Sequence, residues 1–126
     1  VQLDGPGTFS GSTTLDRAFS HPMYRDLQRD NPGFAALIAR APASVAFRVG
    51  EVSERVVGEM ISGNTCQVLG ATPALGRLFT AADDVVKDGH PLIVLTDGFW
   101  RRRFNADPSV VGRQVVINAT PMTIIG

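Results

Sequence analysis

The chain has 126 residues, enough for one domain and hardly two, and 44% hydrophobic against 19% charged residues supports a real core without disulfide or metal. Twelve Lys and Arg balance twelve Asp and Glu, and zero net charge removes the basic excess with which a nucleic-acid binder displaces counterions from phosphates. Cys66 is the only cysteine, so no intrachain disulfide can form, and the longest apolar run, Pro91-Leu92-Ile93-Val94-Leu95, is strand-sized, far short of the roughly 20 residues that cross a bilayer.

The chain begins at Val1 without methionine and stops at Ile125-Gly126 just after an apolar run. That is the pattern expected of a piece of a longer protein. Residues 1–19 are rich in Gly, Ser and Thr and read as an arm or linker; residues 20–126 read as the domain. A first helix is expected over Ser20 to Asn31, with Ser20 as N-cap, Pro22 in the first turn, Met23, Tyr24 and Leu27 on one face, and Asn31-Pro32-Gly33 as terminator. Phe34, Leu37 and Ile38 form a second short apolar face, expected to be helical and to close at Ala41-Pro42.

Val45 to Val49 alternates with period two, which turns Val45, Phe47 and Val49 to the core. Gly50-Glu51 is a turn, and Arg55 to Ile61 completes a hairpin. Asn64 is expected to cap a short helix that runs to Leu69 and closes at Gly70. Thr72-Pro73 and Gly76-Arg77 mark bends, Thr80-Ala81-Ala82-Asp83 resembles a capping box with a shortened acid, and Val85 to Gly89 reads as an exposed loop. Leu92 to Leu95, apolar on both faces, is expected to be a central strand. Thr96 or Asp97 caps the next helix, which Trp100 and Phe104 anchor to the sheet; Asp107-Pro108 opens a further helical turn ending at Gly112. Gln114 to Asn118 and Met122 to Ile125 are strands joined by Asn118-Ala119-Thr120-Pro121. The sum is an α/β (α+β) fold: a mixed sheet with hairpins and short helices packed on it.

Tests for chemistry yield little. Gly70 to Gly76 is spaced one residue too long for a phosphate-binding loop, and Arg77 stands where Lys followed by Ser or Thr belongs. His21, His90, Cys66, Asp83 and Asp84 show no recognisable zinc spacing. His21 and His90 each precede a proline and read as turn or capping residues, and Cys66 as a small buried apolar residue. Asp83-Asp84 has the makings of an acid–base pair, although adjacent acids at a helix start more often complement the helix dipole. Arg101-Arg102-Arg103 point about 100° apart on a helix and cannot form one patch facing one way. Asn118-Ala119-Thr120 matches a glycosylation sequon, with Pro121 following. The residues by themselves give a soluble α/β domain without a visible active site, and no catalytic, cofactor or metal residues are assigned.

The order of short motifs carries more. Ser20-His21-Pro22-Met23-Tyr24-Arg25-Asp26-Leu27, then Phe34-Ala35-Ala36-Leu37, then Glu54-Arg55-Val56-Val57-Gly58-Glu59-Met60-Ile61-Ser62-Gly63-Asn64 resemble successive segments of the periplasmic core domain in MacB-type permeases, with Thr65-Cys66 replacing an aromatic pair. Val68 to Phe79, Asp83-Asp84, Pro91 to Thr96, Phe99-Trp100, Arg103-Phe104, Asp107 to Gly112, Val116-Ile117-Asn118 and Thr123 to Gly126 continue the same order. The resemblance covers roughly residues 20–126 and is nearest to duplicated, FtsX-like permeases. It implies a membrane-spanning parent, dimeric or pseudo-dimeric, with this domain outside the cytoplasmic membrane and a cytoplasmic ABC ATPase as partner. It also implies no catalysis in the domain, which would couple transmembrane motion to export or to a partner outside. The alternatives are a module that binds a substrate or periplasmic adaptor, or, remotely, a small hydrolase using Asp83, Asp84 or His90.

Overall fold

A computed structural model describes residues 21–30, 33–85 and 91–126. The chain divides into two compact units, Val1–Ala39 and Arg40–Gly126. In the first, helix α1 spans His21–Asp30. Tyr24 is buried and Met23 and Leu27 half-buried, the face set by their i, i+1 and i+4 spacing. The Tyr24 hydroxyl donates to the Leu37 carbonyl at 3.3 Å and accepts from Gln28 Nε2 at 3.2 Å. The expected arm over residues 1–19, the Ser20 cap and the Asn31-Pro32 stop lie outside the described residues.

The expected second helix at Phe34 to Ile38 does not form; these residues are irregular and lead directly into a strand at Arg40. A helix this short returns few hydrogen bonds for the cost of nucleating it and forms only where its surroundings hold it; here the chain passes into the long β1 ladder from Arg40 instead.

In the second unit, β1 (Arg40–Val49) and β2 (Val52–Ile61) form a ten-residue antiparallel ladder in unbroken register from Arg40↔Ile61 to Val49↔Val52. Gly50 opens the two-residue turn with φ +59°, the positive φ that such tight hairpin loops require at their first central position. Both strands are longer than periodicity alone implies, and β1 passes through Pro42. Ala46 donates its N–H to Asn118 Oδ1 at 2.9 Å and accepts from the Asn118 N–H at 3.0 Å. Even-numbered residues of β1 therefore direct their backbone groups away from β2. Pro42 is one of these, so its missing N–H removes nothing from the β1–β2 ladder.

After β2 come α2 (Thr65–Val68), a 3-10 turn at Ala81–Asp84, β3 (Leu92–Ile93), α3 (Asp97–Phe104), a 3-10 turn at Pro108–Val110, β4 (Gln114–Ile117) and β5 (Thr120–Ile124). The five-stranded sheet runs β2-β1-β4-β5-β3, antiparallel except for β3 beside β5. The expected mixed sheet with hairpins and short helices is the observed architecture. Leu92 to Leu95, expected as a central strand, instead supplies a two-residue strand at the sheet edge. Its apolar character serves a different cover: Leu95 N–H donates to the Gly126 carbonyl, and Val94 and Leu95 face the loop around Leu75.

The β4–β5 turn is tighter than expected. Asn118 and Ala119 alone form it, at φ +47° and +69°, the doubly left-handed pattern that matches strand twist in a two-residue hairpin. Thr120 and Pro121 are strand residues paired with Ile117 and Val116.

The core lies between the sheet and α3. Phe47, Val110, Val115, Ile117 and Ile124 are buried, with Phe99, Trp100 and Phe104 packed against them. Phe47 meets Phe99 edge-on at 4.9 Å and Phe104 at 6.2 Å, the geometry favoured by ring quadrupoles. Trp100 Nε1 donates to the Asp107 carbonyl at 2.9 Å, so its polar edge is satisfied while its body packs.

Thr96, not Asp97, caps α3: its hydroxyl accepts from the Phe99 N–H at 3.3 Å. Thr96→Ala is expected to lower stability by about 1 kcal/mol, read as a lower urea midpoint with unchanged slope. Asn64 occupies the cap position of α2 without capping it; its Oδ1 accepts from the Ser62 hydroxyl at 2.8 Å instead. Asp107 does cap its turn, accepting from the Ser109 N–H at 2.9 Å.

Candidate functional site

The segment from Gly70 to Phe79 becomes a fixed rim through its glycines. Gly70, at φ +67°, ends α2 and lets the Ala71 N–H reach back to the Cys66 carbonyl at 2.9 Å, a helix end that needs a left-handed residue. Gly76, at φ +66°, lies so close to the Ile125 carbonyl that a Cβ there would collide with it. That approach allows the Arg77 N–H to donate to the same carbonyl at 2.8 Å.

The rim and the start of α3 enclose a shallow cleft of about 150 Å³, walled by Leu75, Leu78, Leu95, Trp100 and Val111, with Thr72 and Asp97 as polar margins. It has room for one or two apolar side chains and no converging donors or acceptors to orient a reaction. Phe79, the aromatic of this segment, is half-buried; the exposed rim is Ala71 to Ala74.

The charged side chains around the rim are committed to holding it. Arg77 grips Asp83 in a bidentate pair at 2.9 and 3.0 Å, and Asp83 also accepts from the Thr80 N–H at 2.8 Å, as the shortened capping box predicts. The Arg77 guanidinium, then the Thr80 N–H, hold the Asp83 carboxyl down to about 2. Asp84 turns the other way and accepts from the Gly63 N–H. The two acids therefore diverge, and the acid–base pair drawn from their adjacency is not assembled here.

Since the folded pKa of Asp83 lies below its unfolded value, its stabilisation is complete above about pH 4 and is lost as pH falls towards 2. The Arg77 side chain is 50% exposed, so solvent screening limits the contribution to about 1 kcal/mol. Asp83→Asn is expected to lower stability by that amount at pH 7 and to flatten the acid limb of stability against pH, measured by urea unfolding at several pH values.

The three arginines of α3 divide their partners. Arg101 pairs with Asp97 at 2.9 Å, one turn earlier. Arg102 and Arg103 both reach Glu54 on β2, at 3.4 and 3.0 Å. The expectation that successive helix positions diverge holds for their Cα–Cβ directions, yet two long side chains still converge on one carboxylate. Glu54 Oε1 is shielded from solvent, and its contact with Arg103 is ionic without hydrogen-bond geometry. Arg102 also lies over the Phe99 ring at 5.1 Å. Periodicity did not reveal this fastening of helix to sheet, because Glu54 and the arginines are 48 and 49 positions apart; their opposite charges were the only signal.

Cys66 is half-buried rather than fully enclosed. Asn118, the sequon asparagine, has its side-chain oxygen bonded to β1. His90 and the side chain of His21 lie outside the described residues. Among the described residues, no three His, Cys, Asp or Glu side chains gather as a metal site, and no helix is long and apolar enough to cross a membrane.

These features define a class: a mixed-sheet α/β body with one aromatic-packed helix and an apolar rim. The family model for the MacB-like periplasmic core domain matches residues 3–126, and the chain belongs to that family of extracytoplasmic domains. Its fold is similar to the periplasmic region of MacB from Actinobacillus actinomycetemcomitans, with TM-score 0.72 and 21% identity over 96% of this chain and 56% of that one. It is also similar to the extracellular domain of the ABC-type transporter YknZ from Gram-positive bacteria, with TM-score 0.71 and 21% identity over 86% of this chain and 56% of that one. The chain thus spans little more than half the length of either solved structure. No curated protein sequence matches it significantly.

Proposed function

We propose that this domain is a passive body of an ABC transporter permease, moved from outside itself, that couples ATP-driven motion of membrane helices to export or to engagement of a partner beyond the membrane. Family membership supports the setting. The observation that carries the mechanical part is the fastening of α3 to the sheet. Three rings interlock edge-to-face around Phe47, and Arg102 and Arg103 clamp Glu54 on the far side of β1. A body that transmits force needs one stable packing and contacts that differ between two states of its surroundings. On this reading the membrane spans belong to the parent, ATP is hydrolysed by a cytoplasmic partner, and the domain performs no catalytic step.

A second reading draws on the apolar rim. The cleft beside Trp100 and Leu75 would seat an apolar side chain of an adaptor or exported substrate. The two readings separate in the full-length parent. Deleting the domain is expected to abolish transport while leaving basal ATP hydrolysis, and retention of full transport would contradict both. Ala74→Asp combined with Val111→Ser, both at exposed positions of the cleft that lie outside the packing of α3 on the sheet, in a parent that still inserts and hydrolyses ATP, reduces transport only if the rim binds.

A further inference from the structure

Strand β2 has β1 on one side and, among the described residues, no strand on the other. Odd-numbered residues of β1 direct their backbone groups to β2, so in the observed register the even-numbered residues of β2 answer them. Ser53, Arg55, Val57, Glu59 and Ile61 therefore present N–H and C=O groups along the open edge. Their side chains share one face of the sheet, opposite that of Phe47 and Val56. Edge strands are usually blunted by a proline, a bulge, shortness, a covering loop or charged side chains, and of these β2 carries on this face only the charges, Arg55 and Glu59, among the described residues. This one is ten residues long, regular in register and free of proline, and it carries Val57 at 85% exposure.

Laid antiparallel against itself, the edge is complementary in one register. Centred on Val57, it sets Val57 against Val57, Arg55 against Glu59, Glu59 against Arg55, and Ser53 against Ile61. Centring on Arg55 or Glu59 would put like charges face to face, which is destabilising. The intermediate registers match neither charge with its opposite. Glu59 is already held on this face by Arg40, at 2.6 Å, which fixes its carboxylate beside the edge where a second guanidinium would arrive.

We propose that β2 is a docking edge for a second copy of this chain, paired antiparallel about a two-fold axis at Val57, so that two five-stranded sheets become one continuous sheet. The partner is selected by main-chain hydrogen bonds, a Val–Val contact at the axis and two reciprocal Arg–Glu pairs. An isologous contact of this kind closes on itself and leaves no further edge at β2. A strand-to-strand contact falls below the roughly 1,200 Å² of stable complexes, so the isolated chain should associate weakly, in the high micromolar range. The proposal is independent of the coupling role, and either can fail without the other.

The test uses charge exchange on the full chain by sedimentation equilibrium. Arg55→Glu and Glu59→Arg are each expected to weaken self-association at least tenfold, and an equimolar mixture of the two to associate about as well as the parent chain, because the mixed pair restores both opposite-charge contacts. Circular dichroism checks that each variant is folded; both side chains are exposed. In a Cys66→Ser background, Val57→Cys should oxidise to a covalent dimer, since residues paired across such a ladder have Cα atoms about 5.5 Å apart, within disulfide reach. Ser53→Cys, facing Ile61 in this register, should not. A chain that stays monomeric to about 1 mM, a dimer indifferent to Arg55→Glu, or a mixture that fails to associate would each overturn the proposal, including in favour of a different strand as occupant of the edge.

Discussion

Phe47→Ala is expected to destabilise the Arg40–Gly126 unit by about 3–5 kcal/mol, the range for emptying a large aromatic from a closed core. Phe47 is 1% exposed and sits mid-strand on β1, opposite Ile117 on β4 and Glu54 on β2. Its ring is the meeting point of Phe99 and Phe104, so α3 loses its principal contact with the sheet. The cavity cannot collapse easily, because hydrogen bonds on both sides fix the β1 backbone. Phe47→Leu keeps most of the volume and should cost considerably less, which separates packing from a general intolerance of change at this position. Urea unfolding followed by Trp100 fluorescence and by circular dichroism measures both variants. Loss of Trp100 signal at lower urea than loss of the sheet would show α3 detaching first.

Gly76→Ala should cost about 2–3 kcal/mol, although it adds only one methyl group at an exposed position. The backbone at φ +66° charges an L-residue about 1–2 kcal/mol. The new Cβ also strikes the Ile125 carbonyl, which must retreat from the Arg77 N–H and lose a bond worth about 1 kcal/mol. The damage should spread, because Arg77 also holds Asp83. Hydrogen exchange is expected to speed up from Arg77 to Asp83 while protection in β1 and β2 is retained. Gly70→Ala is a useful contrast: it has the same backbone sign and nothing within contact of its Cβ, so only the conformational part of the cost remains.

The sequence made legible those features whose physics is local. The period-two run at Val45 to Val49 placed Phe47 correctly, Gly50-Glu51 marked its turn, and Thr80 with Asp83 or Asp107 with Pro108 announced their caps at fixed spacing. What escaped were long-range decisions. Leu92 to Leu95 carries the composition of a buried strand, but its cover comes from the Leu75 loop and the Gly126 carbonyl rather than from strands on both sides. Pro42 looked like a stop because nothing local shows on which side of a strand a missing N–H will fall. Asn64 has a capping residue's chemistry, but Ser62 competes successfully for its oxygen. At the candidate site, the bends at Gly70 and Gly76 were visible, whereas the cleft they frame depends on Trp100 and Val111 arriving from later in the chain. The Glu54 clamp had no signature in spacing at all.

The central proposal is that this domain keeps one internal arrangement while its surroundings move it. Its most direct test places spin labels at Ser53→Cys and Gln114→Cys, both exposed, in a full-length parent whose other cysteines are replaced, with a further label in the parent's membrane region. Distances are then measured with and without ATP trapped in the partner ATPase. The distance from Ser53 to Gln114 should stay fixed while the distance from either to the membrane label changes. A change between Ser53 and Gln114 of similar size, or a membrane distance insensitive to nucleotide, would contradict the proposal.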